Sequence, residues 1–361
     1  MNKPAPRKSG LKIKVLVVDD SALIRASLKK FFQAEGLEVV GTAADPYEAR
    51  DLIVKLEPDI LTLDLQMPRM DGLTFLERLM QHHPMPVVVF SGLTEKNSEI
   101  AIRALELGAV EVLEKPTKET FGPLMYRLVR VLKETAGARP RRRKFVSRVQ
   151  PVKNPELGEP SRVVTAIGAS TGGTDALAEI LTALPADHPG LVIVQHMPPI
   201  FTKDFAARLD RHCAIRVKEA EDGDEVRDGL ALIAPGDWHM VLDWTGGKYR
   251  VRCQSGPLVN HCRPSVDVLF HSVARVAGPN AVGVLLTGMG SDGAGGLLAL
   301  REAGAPTLAQ DETSCVVYGM PKEEVARGAV DEVVPLHLIA EALQSKVRRL
   351  ASKKEESHGE K

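Results

Sequence analysis

Apolar residues fall in short continuous runs along the first third of the chain, each bounded by polar turns. "LKIKVLVVDD", residues 11–20, is such a run ending in two acids, and it predicts a buried parallel strand. "SALIRASLKKFFQAEG" follows with helical periodicity, and Gly36 is placed to end that helix. "LEVVGTA", "DILTLDL", "MPVVVFSG" and "AVEVLEKP" predict further strands separated by helical segments, and "TFGPLMYRLVRVLKETA" predicts a closing helix. This alternation predicts an α/β domain with a doubly wound parallel sheet.

The pattern lapses over 137–160, which is rich in proline and charge and predicts a linker. Its cluster Arg139, Arg141, Arg142, Arg143, Lys144 and Arg148 reads as a solvated tether or as a lure for an acidic partner or a membrane surface. Periodicity then resumes. "RVVTAIGAS", "GLVIVQHMP", "GLALIAPG" and "AVGVLLTGMG" predict strands, and "TDALAEILTAL" and "SVDVLFHSVARVA" predict helices of a second α/β domain. "WHMVLDWTGGKYRVRC" predicts a local antiparallel hairpin turning at Gly-Gly. The expected organisation is a first domain over 11–134, a basic linker over 135–160, a second domain over 161–346 and a disordered tail over 347–361.

Composition narrows the function classes. Lys+Arg and Asp+Glu are both 47 in 361 residues, and aromatics are only 4%, so neither a basic footprint nor a base-stacking surface for nucleic acid is expected. No apolar run approaches the roughly 18 residues of a membrane span, so no integral membrane segment is expected. "MNKPAPRKSG" has no signal-peptide hydrophobic region. Cys213, Cys253, Cys262 and Cys315 lack close metal spacing and read as buried thiols of a reducing, cytoplasmic protein.

In the first domain, Asp19 and Asp20 end one strand and Asp64 ends another. Carboxylates converging on one sheet edge repel unless a cation joins them, and hard oxygen donors suit Mg²⁺. Ser91 and Lys115 end the last two strands, where a hydroxyl and an ammonium can hold phosphoryl oxygens. Asp64 is then the expected nucleophile, forming an acyl phosphate. With "VVDDS", "LDLQMPRMDG", "SG" and "EKP" in this order, residues 13 to about 133 resemble a response-regulator receiver domain. The resemblance implies a flavodoxin-like fold and Asp64 as phosphoacceptor. It implies Asp19, Asp20, Asp64 and the Gln66 carbonyl as Mg²⁺ ligands, with Ser91 as switch hydroxyl and Lys115 as phosphate sensor. A histidine kinase is the implied phosphodonor. Val112 stands where many receivers carry an aromatic, so an aromatic rotamer switch is not implied.

In the second domain, "AIGASTGG" lacks the middle glycine of a dinucleotide fingerprint and the lysine of a P-loop. It does match the nucleophile elbow G-x-S-x-G around Ser170. A serine needs a base. His196 directly follows the apolar run "LVIVQ", at the same sheet edge as Ser170, whereas His337 lies in a helical pattern. His212, His239, His261 and His271 are rivals without so clean a strand before them. Asp292, in the Gly-rich loop "GMGSDGAGG" after a further strand, is the expected carboxylate partner.

"GASTGG", "QHMP", "HCRPSVDVLF" and "LLTGMGSDGAGG", behind a receiver and a linker, are similar to the chemotaxis receptor-glutamate methylesterases, the CheB family. The resemblance implies a Rossmann-like esterase domain with the triad Ser170, His196 and Asp292. It implies hydrolysis of glutamate γ-methyl esters on methyl-accepting chemotaxis receptors, with methanol released, and in some members deamidation of receptor glutamines. Loop position and the resemblance together make the backbone amides near Thr171 and Met289 the expected oxyanion hole. The ester step needs no metal, so Mg²⁺ is expected only in the receiver. The domain order predicts that the unphosphorylated receiver restrains hydrolysis. Rival readings are a DNA-binding output, a nucleotide-binding module and a hydrolase of some other ester.

Overall fold

The computed structural model describes residues 12–67, 69–92, 98–116, 120–138 and 157–359. The chain divides into two compact units, Met1–Arg143 and Lys144–Lys361. The basic cluster from Arg139 to Arg148 lies outside the described residues.

The first unit alternates strand and helix: β1 (Lys14–Val18), α1 (Ala22–Ala34), β2 (Glu38–Ala43), α2 (Pro46–Leu56), β3 (Ile60–Leu63), α3 (Gly72–His82), β4 (Val87–Ser91), α4 (Ser98–Glu106), β5 (Glu111–Glu114) and α5 (Phe121–Thr135). Local chemistry starts the helices. The Ser21 hydroxyl accepts from Ile24 N, Asp45 from Tyr47 N and Glu48 N, and Asp71 from Thr74 N. All strand pairings are parallel in the order β2-β1-β3-β4-β5. The chain therefore reverses its winding between β1 and β3. That switch point opens a crevice at the carboxyl ends of these two strands. Asp19 and Asp64 are the first residues beyond them.

The second unit holds a seven-stranded parallel sheet and the hairpin of β10 (His239–Thr245) with β11 (Lys248–Gln254). Gly246 and Gly247 both have positive φ at its turn, as a two-residue hairpin loop demands. The sheet order is β14-β13-β12-β6-β7-β9-β8. Its strands are β6 (Val164–Ala169), β7 (Leu191–Gln195), β8 (Arg216–Glu219), β9 (Leu230–Ile233), β12 (Ala281–Leu285), β13 (Thr307–Gln310) and β14 (Glu332–Val334). Its helices are α6 (Gly173–Leu181), α7 (Pro199–Asp210), α8 (Val266–Val276), α9 (Ala294–Glu302), α10 (Met320–Ala326) and α11 (Leu336–Gly359). Val164, Val192, Leu232, Phe270 and Leu297 meet in the core between sheet and helices. Here the switch point lies between β6 and β12, with β7 on the other flank of β6.

Two expectations are corrected. The sequence pattern missed β8, β13 and β14, short strands in which charged or polar residues leave at most two apolar positions together. The stretch from 347 continues α11 to Gly359 rather than beginning a disordered tail. Lys, Glu, Arg, Leu and Ala there are good helix formers, and no Gly or Pro interrupts them before Gly359.

Candidate active site and phosphoacceptor site

The first unit gathers its acids at the switch point. Ligand oxygens of Asp19, Asp20 and Asp64 lie within 4.8 Å of one another. Ser91 donates to Asp64 Oδ1 at 2.7 Å, and Lys115 Nζ lies 2.5 Å from Asp64 Oδ2 and 2.7 Å from Asp19 Oδ2. Burial raises the Asp19 pKa despite the Lys115 ammonium beside it. For Lys115, burial is outweighed by Asp19 and Asp64, which hold the ammonium more firmly protonated than usual. Gln66 N donates to Asp64 Oδ1 at 3.0 Å, which turns the chain back over the acid. With only Asp19 and Asp64 paired to Lys115, the three carboxylates have oxygen donors to spare, and this donor set fits a small hard cation. Val112 is buried in β5.

In the second unit the β6–β7 register pairs Ala169 with Gln195, so Ser170 and His196 leave the sheet side by side. His196 N donates to Ala169 O at 3.1 Å. Gln195, which the sequence reading left without a role, pins both: its Nε2 donates to Ser170 O at 2.9 Å and to His196 O at 3.2 Å. Ser170 N donates to Thr287 O across the switch point. Two glycines are required by close approach. A Cβ on Gly288 would lie 2.7 Å from the Ser170 Cβ. Gly172 has φ +78°, and a Cβ there would lie 2.5 Å from that of Val316.

Asp292, beyond β12, is 2% exposed and lies at the N-terminus of α8. Its Oδ1 accepts from Ser265 Oγ at 2.7 Å, Asn260 Nδ2 at 2.9 Å and Asp267 N at 3.3 Å. Its Oδ2 accepts from Val266 N at 2.7 Å and faces His196 Nε2 at 2.8 Å. Two helix-terminal amides and the helix dipole favour an anion there. Burial alone would raise the Asp292 pKa. His196, then Asn260 and Ser265, outweigh burial and push it down to about 2. Burial alone would also lower the pKa of His196, but Asp292 and then Cys262 raise it to about 9. An ionised carboxylate only accepts, so Nε2 carries the proton and Nδ1 is left as the basic nitrogen.

Ser170 Oγ makes no hydrogen bond among the described residues, and Nδ1 is in contact with Cys262 Sγ at 3.6 Å. Serine–histidine bonds of this kind often tighten only around substrate. Among the described residues, the Thr171 and Met289 backbone N–H groups find no acceptor within the fold. They flank Ser170 in sequence and Gly288 at the switch point. Of the rival histidines, His239 is buried and engages Pro257 O and Ser265 N, and His261 is exposed at positive φ. His337 lies in α11.

Glu324 in α10 was not anticipated. It is fully buried, neither carboxyl oxygen has a partner among the described residues, and its pKa is raised by burial and then by Asp267 and Asp292. A carboxyl whose folded pKa exceeds its unfolded 4.5 contributes most below that pH. Its contribution falls as pH rises toward the folded pKa, by about 1.4 kcal/mol per unit at most. Glu324→Gln removes this slope, so its stability advantage over wild type grows from pH 5 to pH 8. Urea unfolding at several pH values checks this, and an unchanging difference would count against a buried neutral carboxyl.

An α/β unit of the 2-1-3-4-5 order followed by a second one with a serine, histidine and aspartate at its switch point defines the class: a response regulator with a hydrolase-type output. Residues 15–121 match the response regulator receiver domain, and residues 165–343 match the CheB methylesterase domain. The chain belongs to the CheB methylesterase family. It is 51% identical over 341 residues to "Protein-glutamate methylesterase/protein-glutamine glutaminase 2" of Syntrophus aciditrophicus (strain SB), covering 92% of this chain and 98% of that one. It is 52% identical over 340 residues to the Escherichia coli (strain K12) protein-glutamate methylesterase/protein-glutamine glutaminase, covering 93% and 97%. The crystal structure of the Thermotoga maritima CheB methylesterase catalytic domain is 42% identical, with a TM-score of 0.49, over 50% of this chain and 96% of that one. Among the described residues, no helix is long and apolar enough to cross a membrane.

Proposed function

We propose that this protein is a phosphorylation-regulated serine esterase that hydrolyses glutamate γ-methyl esters on chemoreceptors and releases methanol. The observation that carries the reading is the buried His196–Asp292 pair at 2.8 Å, beside Ser170 at the sheet's switch point. The names of its relatives supply the substrate class, methyl-esterified glutamate in a protein.

In this reading Ser170 Oγ attacks the ester carbonyl while His196 Nδ1 takes the hydroxyl proton. Nε2–H stays on Asp292, which holds the ring and stabilises the imidazolium. The carbonyl oxygen, now negative, meets the Thr171 and Met289 amides. Nδ1–H then gives its proton to the departing methoxide, and methanol leaves. Water attacks the acyl-enzyme with Nδ1 again as base, which frees glutamate and restores Ser170. The same acyl-enzyme forms from glutamine with ammonia as leaving group, a second activity that the relatives' names favour.

Asp64 is the proposed phosphoacceptor, charged by a histidine kinase in the cytoplasm. Ser91 and Lys115 would take the phosphoryl oxygens. Asp19, Asp20, Asp64 and the Gln66 carbonyl would hold Mg²⁺, which when bound supplies countercharge to the phosphoryl group.

Two expected results test the reading. Methanol release, as kcat/KM, rises about tenfold per pH unit between pH 6 and 8 and bends near pH 9, because only neutral His196 accepts the proton. A flat profile over that range would rule out Nδ1 as the base. Asp64→Ala removes the rise in methanol release that a small-molecule phosphodonor with Mg²⁺ produces in wild type. A variant that still responds would place the phosphoacceptor elsewhere.

A further inference from the structure

Cys262 Sγ touches the imidazole nitrogen that the proposed mechanism uses as base, at 3.6 Å from His196 Nδ1. The thiol is only half-buried and in no disulfide, so small ions reach it. Donor atoms of Cys262, His196 and Asp292 all lie within 4.8 Å of one another.

The geometry points to an inhibitory site for a soft divalent cation of the zinc class, held between Cys262 Sγ and His196 Nδ1. The inhibition, though not the site, rests on the serine-esterase reading. Three features carry the inference. First, the separation fits. With Zn–S of about 2.3 Å and Zn–N of about 2.05 Å, an N···S distance of 3.6 Å corresponds to an S–Zn–N angle of about 110°, which is tetrahedral. Second, the supporting shell is already built. A metal-binding histidine commonly donates its other ring N–H to a carboxylate. Nε2 does so to Asp292, itself held by Ser265, Asn260 and the Val266 amide.

Third, the thiol is placed by a defined turn. Val259 and Cys262 exchange backbone hydrogen bonds at 3.1 and 2.9 Å around Asn260 and His261, both at positive φ. Asn260 ties that turn to Asp292 and Asp267 through its amide. One turn thus anchors the carboxylate and holds the sulfur against the base. The donor types also separate this site from the receiver acids. Sulfur and imidazole favour zinc-class ions, whereas the oxygens of Asp19, Asp20 and Asp64 favour magnesium.

On binding, Cys262 gives its thiol proton to solvent, His196 where it is an imidazolium gives up its Nδ1 proton as well, and the metal takes the thiolate and the Nδ1 lone pair. Water fills the remaining positions, and nothing is oxidised or reduced. Nδ1 then cannot accept the Ser170 proton, so hydrolysis stops until a chelator removes the ion.

Cobalt(II) added to the full-length protein is the first probe. A near-ultraviolet thiolate-to-cobalt band is expected in wild type, retained in Cys253→Ser and absent in Cys262→Ser. Cobalt on the receiver acids has no sulfur ligand and gives no such band. Zinc at ten times its dissociation constant, measured by displacing cobalt, is expected to lower methanol release about tenfold. This arm is run without phosphodonor or Mg²⁺, and EDTA restores the rate. Cys262→Ser, referred to its own metal-free rate, loses this inhibition. No band in wild type, or a band that survives Cys262→Ser, would overturn the site. A Cys262-dependent band with hydrolysis untouched by zinc would overturn the inhibition. Failure of metal-free wild type to release methanol would count against the esterase reading, and the cobalt band would still decide the site.

Discussion

Ser170→Ala lowers methanol release by on the order of 10⁵-fold or more, the scale on which loss of an activated serine acts, while its unfolding midpoint stays within error of wild type. The stability half of this expectation comes from the packing. Ser170 is half-buried, and its hydroxyl makes no hydrogen bond among the described residues. Alanine keeps the Cβ that packs against Gly288, and the backbone bonds from Ser170 N to Thr287 O and from Gln195 to Ser170 O are untouched. The expected destabilisation is within about 0.5 kcal/mol. Rate and urea unfolding on the same preparation separate lost chemistry from lost fold. A variant that retains a tenth of the wild-type rate would mean that another group is the nucleophile.

Asp292→Asn behaves differently, because the carboxylate both orients the base and terminates a buried network. Asp292 only accepts, from five donors on two oxygens. An asparagine amide must turn its NH₂ toward one set of these donors. Turned toward His196, it would favour the tautomer with the proton on Nδ1, which removes the base and costs about 10⁴-fold in kcat. Turned toward Ser265 and Asn260, it would set donors against each other. An unsatisfied buried group costs about 1–3 kcal/mol, so this variant is also expected to unfold at lower urea. It also loses the charge that raises His196, so any residual rate has its pH inflection below 9. An Asp292→Asn enzyme with near-normal kcat and an unshifted profile would exclude this orienting role.

Much of this molecule could be read from the chain. Apolar runs ending in Asp19, Asp64, Ser91, Ser170 and His196 placed those residues at strand ends, because a parallel sheet puts all its carboxyl ends on one edge. Gly-Gly fixed the hairpin turn, because glycine takes positive φ at both central positions without strain. The short strands β8, β13 and β14 were invisible for the opposite reason. "RVKE", "TLAQ" and "EVV" hold at most two apolar residues together, so no buried run stands out, and they form where the sheet beside them offers hydrogen-bond partners.

The supporting groups of the second site were less legible. Gln195 beside His196 looks like any polar residue ending a strand, and its role depends on Ser170 O lying across the sheet. Ser265 reads as an ordinary helix cap, which it also is, since it accepts from Val268 N. That its hydroxyl donates to Asp292 follows from α8 pointing its N-terminus at a loop 27 residues away in sequence. Cys262 read as a buried structural thiol because a single cysteine carries no spacing to interpret. Only the turn at Asn260 and His261 brings it to the imidazole. Glu324 lies next to another glutamate in "MPKEEVA", and nothing in that stretch marks it as the one that is buried.

The most direct test of the central claim is methanol release from a methyl-esterified chemoreceptor by the full-length protein, with and without a small-molecule phosphodonor and Mg²⁺. The account predicts measurable release that rises with the donor, disappears in Ser170→Ala and loses only its rise in Asp64→Ala. No release above the uncatalysed background, with or without donor, would contradict it.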